Sequence, residues 1–229
     1  MNMTDKIKRL FFYRQHPDAA LRYLPIVRLL KKQKLANAKI LEVGSGSYGI
    51  TPYLKKPIIG VDLKFDEPKY DLLTQVHGTG DKLPFKRNEF EVVILSDVLE
   101  HMPKNARSKV LDECIRVARK IVIISGPFGP QAFEQDKKLA QISDHHFLQE
   151  HLRYGLPEVS DILNYKNPKI VTIDIVGEYL NLRVREWLML NFIKHYHFYL
   201  KGLMFLVPIL KWLNHKPCYR TVIMIKTKV

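Results

Sequence analysis

The stretch "AKILEVGSGSYGITPYL", residues 38–54, joins a short apolar run, Lys39–Val43, to three glycines, Gly44, Gly46 and Gly49, in the spacing G-x-G-x-x-G. A strand that ends in such a turn brings backbone close to a ligand and aims the N–H groups of the next helix at it. That helix is predicted to be short, roughly 48–56. Downstream, "PIIGVDL" (57–63), "EVVILSD" (91–97) and "KIVIISG" (120–126) read as buried strands, and "KNARSKVLDECIRVARK" before the last of them as an amphipathic helix. Strands alternating with helices predict a parallel, doubly wound sheet. Upstream, residues 4–36 show apolar residues at helical spacing, punctuated by "HPD" at 16–18, with Asp18 as the N-cap of a second helix. Beyond the fourth strand, "SDHHFLQEHLRYGLPEVSDIL" reads as helix, loop and helix. "KIVTIDIVGE" (169–178) and the terminal "YRTVIMIKTKV" read as strands. These last two form an antiparallel hairpin at one sheet edge, with the aromatic and basic segment 180–216 inserted at its tip.

The glycine spacing alone is common to several nucleotide-type cofactors. Glu42 narrows the choice, because it ends an otherwise apolar strand and is costly to bury unless something cationic meets it. The pyrophosphate of a nicotinamide cofactor would be repelled there, whereas the ammonium and sulfonium of S-adenosylmethionine would be favoured. Asp62, in "GVDL", ends the second strand, where an acid accepts hydrogen bonds from ribose hydroxyls. It lies 13 positions after Gly49, closer than the acid about 20 residues on that a dinucleotide fingerprint expects.

The segments "LEVGSGSYG", "GVDL", "LPF", "FEVVILSDVLEH" and "IVIISGP", spread over residues 38–130, together resemble the class I S-adenosylmethionine-dependent methyltransferases, in particular the small-molecule branch that carries "LPF" and "LEH". The resemblance implies a Rossmann-like three-layer α/β/α sandwich with a mostly parallel seven-stranded sheet and an antiparallel last strand. It implies that Gly44, Ser45 and Gly46 lie against the cofactor, that Glu42 steers its amino group, that Asp62 binds the ribose and that Leu63 packs on the adenine. Ser96 and Asp97 would line the methionine end, and His101 would stand near the site's mouth. One position departs from the pattern: Thr79 occupies the place where many relatives carry an Asp for the adenine amino group, so Thr79 or Asp81 takes that contact.

Methyl transfer to a hydroxyl gains from a general base, usually His or a carboxylate. The candidates are His101, His145, His146, Glu150 and His151. His146 and Glu150 share a helical face, which also suits an ordinary salt bridge. A His/Glu metal site lacks a third ligand in the sequence, and no metal is expected.

The chain has 229 residues, 46% of them hydrophobic, enough for one α/β domain with additions. The organisation expected is an N-terminal helical cap over 1–37 and a methyltransferase domain over 38–229 with a helical insertion at about 180–216. Cys114 and Cys218 have no C-x-x-C spacing, which argues against a cysteine zinc site or a disulfide framework. The net charge of +14 sits at the ends: residues 1–38 hold nine Lys/Arg against two Asp/Glu, and residues 181–229 nine against one. Such ends attract phosphates, anionic lipids or nucleic acid. The longest uncharged run of the insertion, "GLMFLVPIL" (202–210), is far short of a membrane span, but its aromatic residues and flanking Lys201 and Lys211 suit a helix at a membrane surface. A structural insertion that covers the site or forms a homodimer contact is the competing reading. The acceptor expected is a small-molecule, glycan or lipid-linked compound, anionic, methylated on oxygen or nitrogen. The alternatives are an RNA methyltransferase and an NAD-dependent oxidoreductase. Nucleic acid is not expected as a partner, because no N-P-P-[FY] loop follows "VILSD" and no RNA-binding module is appended. The N-terminus does not read as a secretory signal, so the expected location is the cytoplasm, with peripheral contact at the inner membrane surface.

Overall fold

The computed structural model describes residues 17–65, 71–192 and 215–228. Seven strands form one sheet in the order β3-β2-β1-β4-β5-β7-β6. They are β1 (Ile40–Val43), β2 (Ile58–Asp62), β3 (Leu73–His77), β4 (Phe90–Ser96), β5 (Ala118–Pro127), β6 (Ile170–Asn181) and β7 (Cys218–Thr227). β7 alone is antiparallel to its neighbours, β5 on one side and β6 on the other. β1 to β5 run parallel. This is the mostly parallel three-layer sandwich with an antiparallel last strand that the sequence implies. The hairpin of the last two strands is present too, with β7 inside the sheet and β6 at its edge.

The period-two alternation of the strands builds two cores. Leu41, Val43, Val93, Leu95, Val122 and Ile124 face one side, where they meet Val110, Leu111, Cys114 and Ile115 of α3 (Lys104–Val117). Ile40, Val92, Ile94, Ile121 and Ile123 face the other, under α1 (Pro17–Lys32) and α2 (Thr51–Leu54). On α1 the buried residues Tyr23, Ile26, Val27 and Leu30 recur at i, i+3, i+4 and i+7, the stripe that docks a helix on a sheet. Asp18 lies inside this helix rather than at its cap. Residues 4–16 of the helical reading lie outside the described residues.

Three short helices follow β5: α4 (Gly129–Ala140), α5 (His146–Tyr154) and α6 (Val159–Leu163). α5 and α6 are the helix–loop–helix expected, and α4 is an addition to it. α7 (Leu182–Phe192) leaves the end of β6 and opens the insertion. Its first turn is capped by Asn181, whose Oδ1 accepts from the N–H of Arg183 (3.0 Å) and of Val184 (3.3 Å), while its Nδ2 donates to the His215 carbonyl at 2.6 Å. Asn181 therefore clamps both ends of the insertion. Because β6 runs parallel to β1 and β4, the insertion leaves and returns at the carboxyl ends of the strands. Residues 193–214 lie outside the described residues. Among the described residues no helix is long and apolar enough to cross a membrane, and both cysteines are free.

Candidate active site

The glycine loop closes over the end of β1. Gly44, Gly46 and Gly49 all hold positive φ, at 72°, 55° and 53°. A Cβ on Gly44 would come within 2.4 Å of Val98 Cγ2, and one on Gly49 within 2.3 Å of Glu42 Oε2. A Cβ on Gly46 would meet nothing within 4 Å. Gly44 and Gly49 are thus required by packing, and Gly46 leaves an open face. The Gly46 N–H donates to Asp62 Oδ2 at 2.7 Å, which ties the loop to the end of β2. Ser45 is different from the expectation: its side chain is buried toward Gly60 and its hydroxyl bonds the Gly46 carbonyl, so only its backbone faces the loop.

Glu42 is fully buried. Its Oε2 accepts the Ile50 N–H at 2.7 Å, whereas Oε1 has no hydrogen-bond partner among the described residues. Burial pushes its carboxyl up to about 7, against the Ile50 N–H, the Tyr23 hydroxyl and the Arg22 guanidinium, which pull it down. A buried carboxylate oxygen with no partner beside an open glycine face fits an incoming cation. Leu63, 75% exposed just beyond Asp62, offers an apolar platform where an adenine would stack. Thr79 and Asp81 are exposed in the loop after β3 on the same rim. These residues fit S-adenosylmethionine: Glu42 toward the ammonium, Gly46 against the chain, Asp62 on the ribose.

At the end of β4 the geometry departs from expectation. Asp97 carries a positive φ of 56° and its carboxylate is committed to two arginines, Arg22 Nε at 2.8 Å and Arg220 at 2.7 Å. Burial alone would raise its carboxyl; the two guanidiniums outweigh burial and hold it well below the usual range. Asp97 therefore holds α1 and β7 to the end of β4 and is not a free acid at the methionine end. Ser96 is buried and its Oγ lies 3.2 Å from Asp97 Oδ2. Glu100, next along, is 2% exposed, and burial together with the charge of Asp97 pushes its carboxyl well above the usual value.

His101 closes the 3₁₀ turn Leu99–His101, with Nδ1 at 2.7 Å from Glu150 Oε2. Burial and the neighbouring His151 pull its pKa down, against the Glu150 hydrogen bond, so the ring favours its neutral form. Glu150 thus pairs across to the β4 turn and not with His146 on its own helix. His145 and His146 are exposed and stack on each other at 5.2 Å. His151 is buried, with Nδ1 at 2.7 Å from Asp136 Oδ2. Asp136 also accepts from Arg185 at 2.8 Å and from the Tyr219 hydroxyl. Burial would raise its carboxyl too, but the His151 hydrogen bond and Arg185 hold it below the usual range. Arg185 lies 3.4 Å from the Tyr219 ring centroid, fastening the first turn of α7 beside this network. Arg22, Arg220, Tyr23 and Asp136 were not singled out in the sequence, since each acts only through a partner far along the chain.

Residues 41–124 match the family model described as a methyltransferase domain. No curated protein matches the chain. Solved structures with the same fold include the magnesium protoporphyrin IX methyltransferase of Synechocystis with bound S-adenosylhomocysteine, 13% identical, with a TM-score of 0.52 over 100% of this chain and 89% of that one. A Burkholderia thailandensis 1,6-didemethyltoxoflavin-N1-methyltransferase is 12% identical, with a TM-score of 0.51 over 99% of this chain and 89% of that one. The phosphoethanolamine N-methyltransferase 2 of Haemonchus contortus, in complex with S-adenosylmethionine, is 16% identical, with a TM-score of 0.53 over 83% of this chain and 49% of that one.

Proposed function

We propose that the chain is a class I S-adenosylmethionine-dependent methyltransferase that moves a methyl group onto an oxygen or nitrogen of a small, anionic acceptor, for example a phosphate-bearing or lipid-linked glycan. The observation that carries the cofactor half is the orphaned Oε1 of buried Glu42 beside the open face of Gly46. S-adenosylmethionine, when bound, supplies an activated methyl on a good leaving group, so the protein's main task is alignment of the acceptor, where proximity gives much of the acceleration. Glu42, Gly46 and Asp62 orient the cofactor. Glu100, His101 and His151, gathered at the carboxyl end of β4, are the groups placed beside the acceptor's nucleophilic atom.

The acceptor's anionic character is supported by the charge of the two ends of the chain and by the attachment of the insertion at the carboxyl ends of the strands. A small molecule is favoured over RNA by the sequence after β4, which turns directly into "VLEHMPKN". Action in the cytoplasm belongs to this proposal, and the charges of the two ends support contact with an anionic membrane surface there.

Calorimetry with S-adenosylhomocysteine and with NAD tests the cofactor. Binding of the first and not the second is expected. Tight NAD binding with no response to S-adenosylhomocysteine would overturn the reading. Methyl transfer from labelled cofactor into an extract then identifies the acceptor fraction, and His101→Ala should lower that transfer by roughly a hundredfold if His101 acts on the acceptor's proton.

A further inference from the structure

Glu100, His101 and His151 come from two elements far apart in the chain, yet each offers a ligand atom, and these atoms lie within 4.8 Å of one another. Both imidazoles are held from behind. Nδ1 of His101 is 2.7 Å from Glu150, and Nδ1 of His151 is 2.7 Å from Asp136. That leaves Nε2 as the available donor on each ring. A carboxylate behind the imidazole is the arrangement that fixes the tautomer and orientation of metal-ligating histidines. The rings stand 5.0 Å apart between centroids, tilted by 41°.

The Glu100 carboxyl bonds Asp97, yet two atoms of the cluster remain to be accounted for. His151 Nε2 and Glu100 Oε1 are buried without a hydrogen-bond partner among the described residues, on side chains of residues only 7% and 2% exposed. Buried polar atoms are costly to leave unpaired, so each calls for a ligand. We propose that Glu100, His101 and His151 form a two-histidine, one-carboxylate site for a divalent first-row transition metal ion.

Neighbouring donors around such an ion, bound at about 2.1 Å, lie roughly 3–3.5 Å apart, so binding draws the three side chains together. Two imidazoles select zinc, cobalt, nickel or iron over magnesium and calcium, which prefer all-oxygen shells. Arg22 and Arg220, whose charges reach Glu100, are both paired with Asp97, and Arg185, beside His151, is paired with Asp136, which offsets their repulsion of a cation. Three protein ligands leave positions open, the pattern of a working site rather than a structural one. An acceptor oxygen in an open position would have its pKa lowered by the ion. That use of the site rests on the proposed function; the metal site itself does not.

The test uses the full chain, stripped by a chelator and titrated with Zn²⁺ by calorimetry and with Co²⁺ by visible absorption. One ion per chain is expected, with at least a tenfold loss of affinity in each of Glu100→Gln, His101→Asn and His151→Asn. S-adenosylhomocysteine binding, measured on each variant, reports whether the domain is folded, and its failure in the unaltered chain would strike the cofactor reading and leave the metal result standing. Because the buried variants can fail to fold, Glu150→Gln serves as the milder change, expected to weaken binding roughly tenfold through His101. The exposed pair His145→Ala/His146→Ala should still bind one ion. The proposal is overturned if the stripped chain takes up no ion, if the His145/His146 double variant abolishes uptake, or if His151→Asn and Glu150→Gln both bind as the unaltered chain does.

Discussion

Glu42 carries the most consequential charge in the site because it has no solvent and only one backbone donor. Its folded pKa of about 7 lies above the ordinary value of 4.5. An acid raised on folding stabilises the native state below its unfolded pKa, and that contribution is lost as pH rises through the folded value. In the cofactor-free chain the ionisation of Glu42 therefore costs up to about 3 kcal/mol between about pH 4.5 and 7. Melting temperature should fall over that window by several degrees, and Glu42→Gln should flatten the fall. Cofactor affinity should move the opposite way, tightening as Glu42 ionises above pH 7, a step that Glu42→Gln removes. Thermal melts and calorimetry at pH 5, 6, 7 and 8 check both; a Glu42→Gln chain with the unaltered pH profile would mean that Glu42 ionises in the fold as it does in the unfolded chain. Asp62 is a simpler case. A hydrogen bond to a charged group contributes about 1.5–3 kcal/mol, so Asp62→Ala should weaken S-adenosylhomocysteine binding roughly tenfold or more. Since Asp62 also accepts the Gly46 N–H, Asp62→Asn should lose less. Unchanged affinity in a folded Asp62→Ala chain would leave Asp62 with the loop alone.

The loop between β1 and α2 separates packing from binding. Gly44→Ala forces a Cβ to within 2.4 Å of Val98 Cγ2 at a positive φ, so it combines backbone strain with overpacking, of order 2–4 kcal/mol together. Gly46→Ala meets no atom within 4 Å, and its cost is the left-handed backbone alone, about 1–2 kcal/mol. Gly44→Ala should therefore lower the melting temperature more, and Gly46→Ala should fold but bind S-adenosylhomocysteine poorly, because its methyl fills the cradle. If Gly46→Ala binds as the unaltered chain does, the open face is not where the cofactor lies. The same contrast explains what was legible in the sequence. β1, β2, β4 and β5 are buried apolar runs and announce themselves. β3, "LTQVH", is a half-exposed edge strand of mixed polarity, and no run marks it. α4 opens with Gly129 and Pro130 and carries only a thin buried stripe around Ala132, Gln135, Asp136 and Leu139, so its period is blurred. Glu42 and Asp62 could be read as site residues because each ends a strand beside the glycine turn. The commitment of Asp97 to Arg22 and Arg220, and the meeting of Glu100 and His101 with His151, depend on tertiary packing and left no local pattern.

At the scale of the molecule, charge and topology point the same way. The basic surplus lies in residues 1–38 and 181–229, while the middle of the chain, residues 39–180, is nearly neutral. α1 reaches the carboxyl end of β4 through Arg22, and the start of β7 reaches it through Arg220, so both ends of the chain converge on the rim of the site. Three of the arginines there are spent on Asp97 and Asp136, whereas Arg183 is exposed on the first turn of α7. The insertion, attached at that rim by Asn181, adds Lys194, Lys201 and Lys211 in a segment rich in Trp, Tyr and Phe. Exposed charges act over about 8 Å at physiological ionic strength, so an interaction built on them is strong at low salt and fades as salt is added. Aromatic residues with basic flanks add an apolar contact that salt does not screen. The full chain should therefore co-sediment with anionic vesicles at low salt, lose most of that binding at high salt, and bind neutral vesicles weakly under both conditions. Replacing Lys194, Lys201 and Lys211 with Gln should reduce the salt-sensitive part, with S-adenosylhomocysteine binding unchanged, since the cofactor reading rests on Glu42, Gly46 and Asp62. Equal and negligible binding to anionic and neutral vesicles would remove the membrane from the proposal and leave the rim to a soluble anionic acceptor, whose turnover should then carry the same loss with salt.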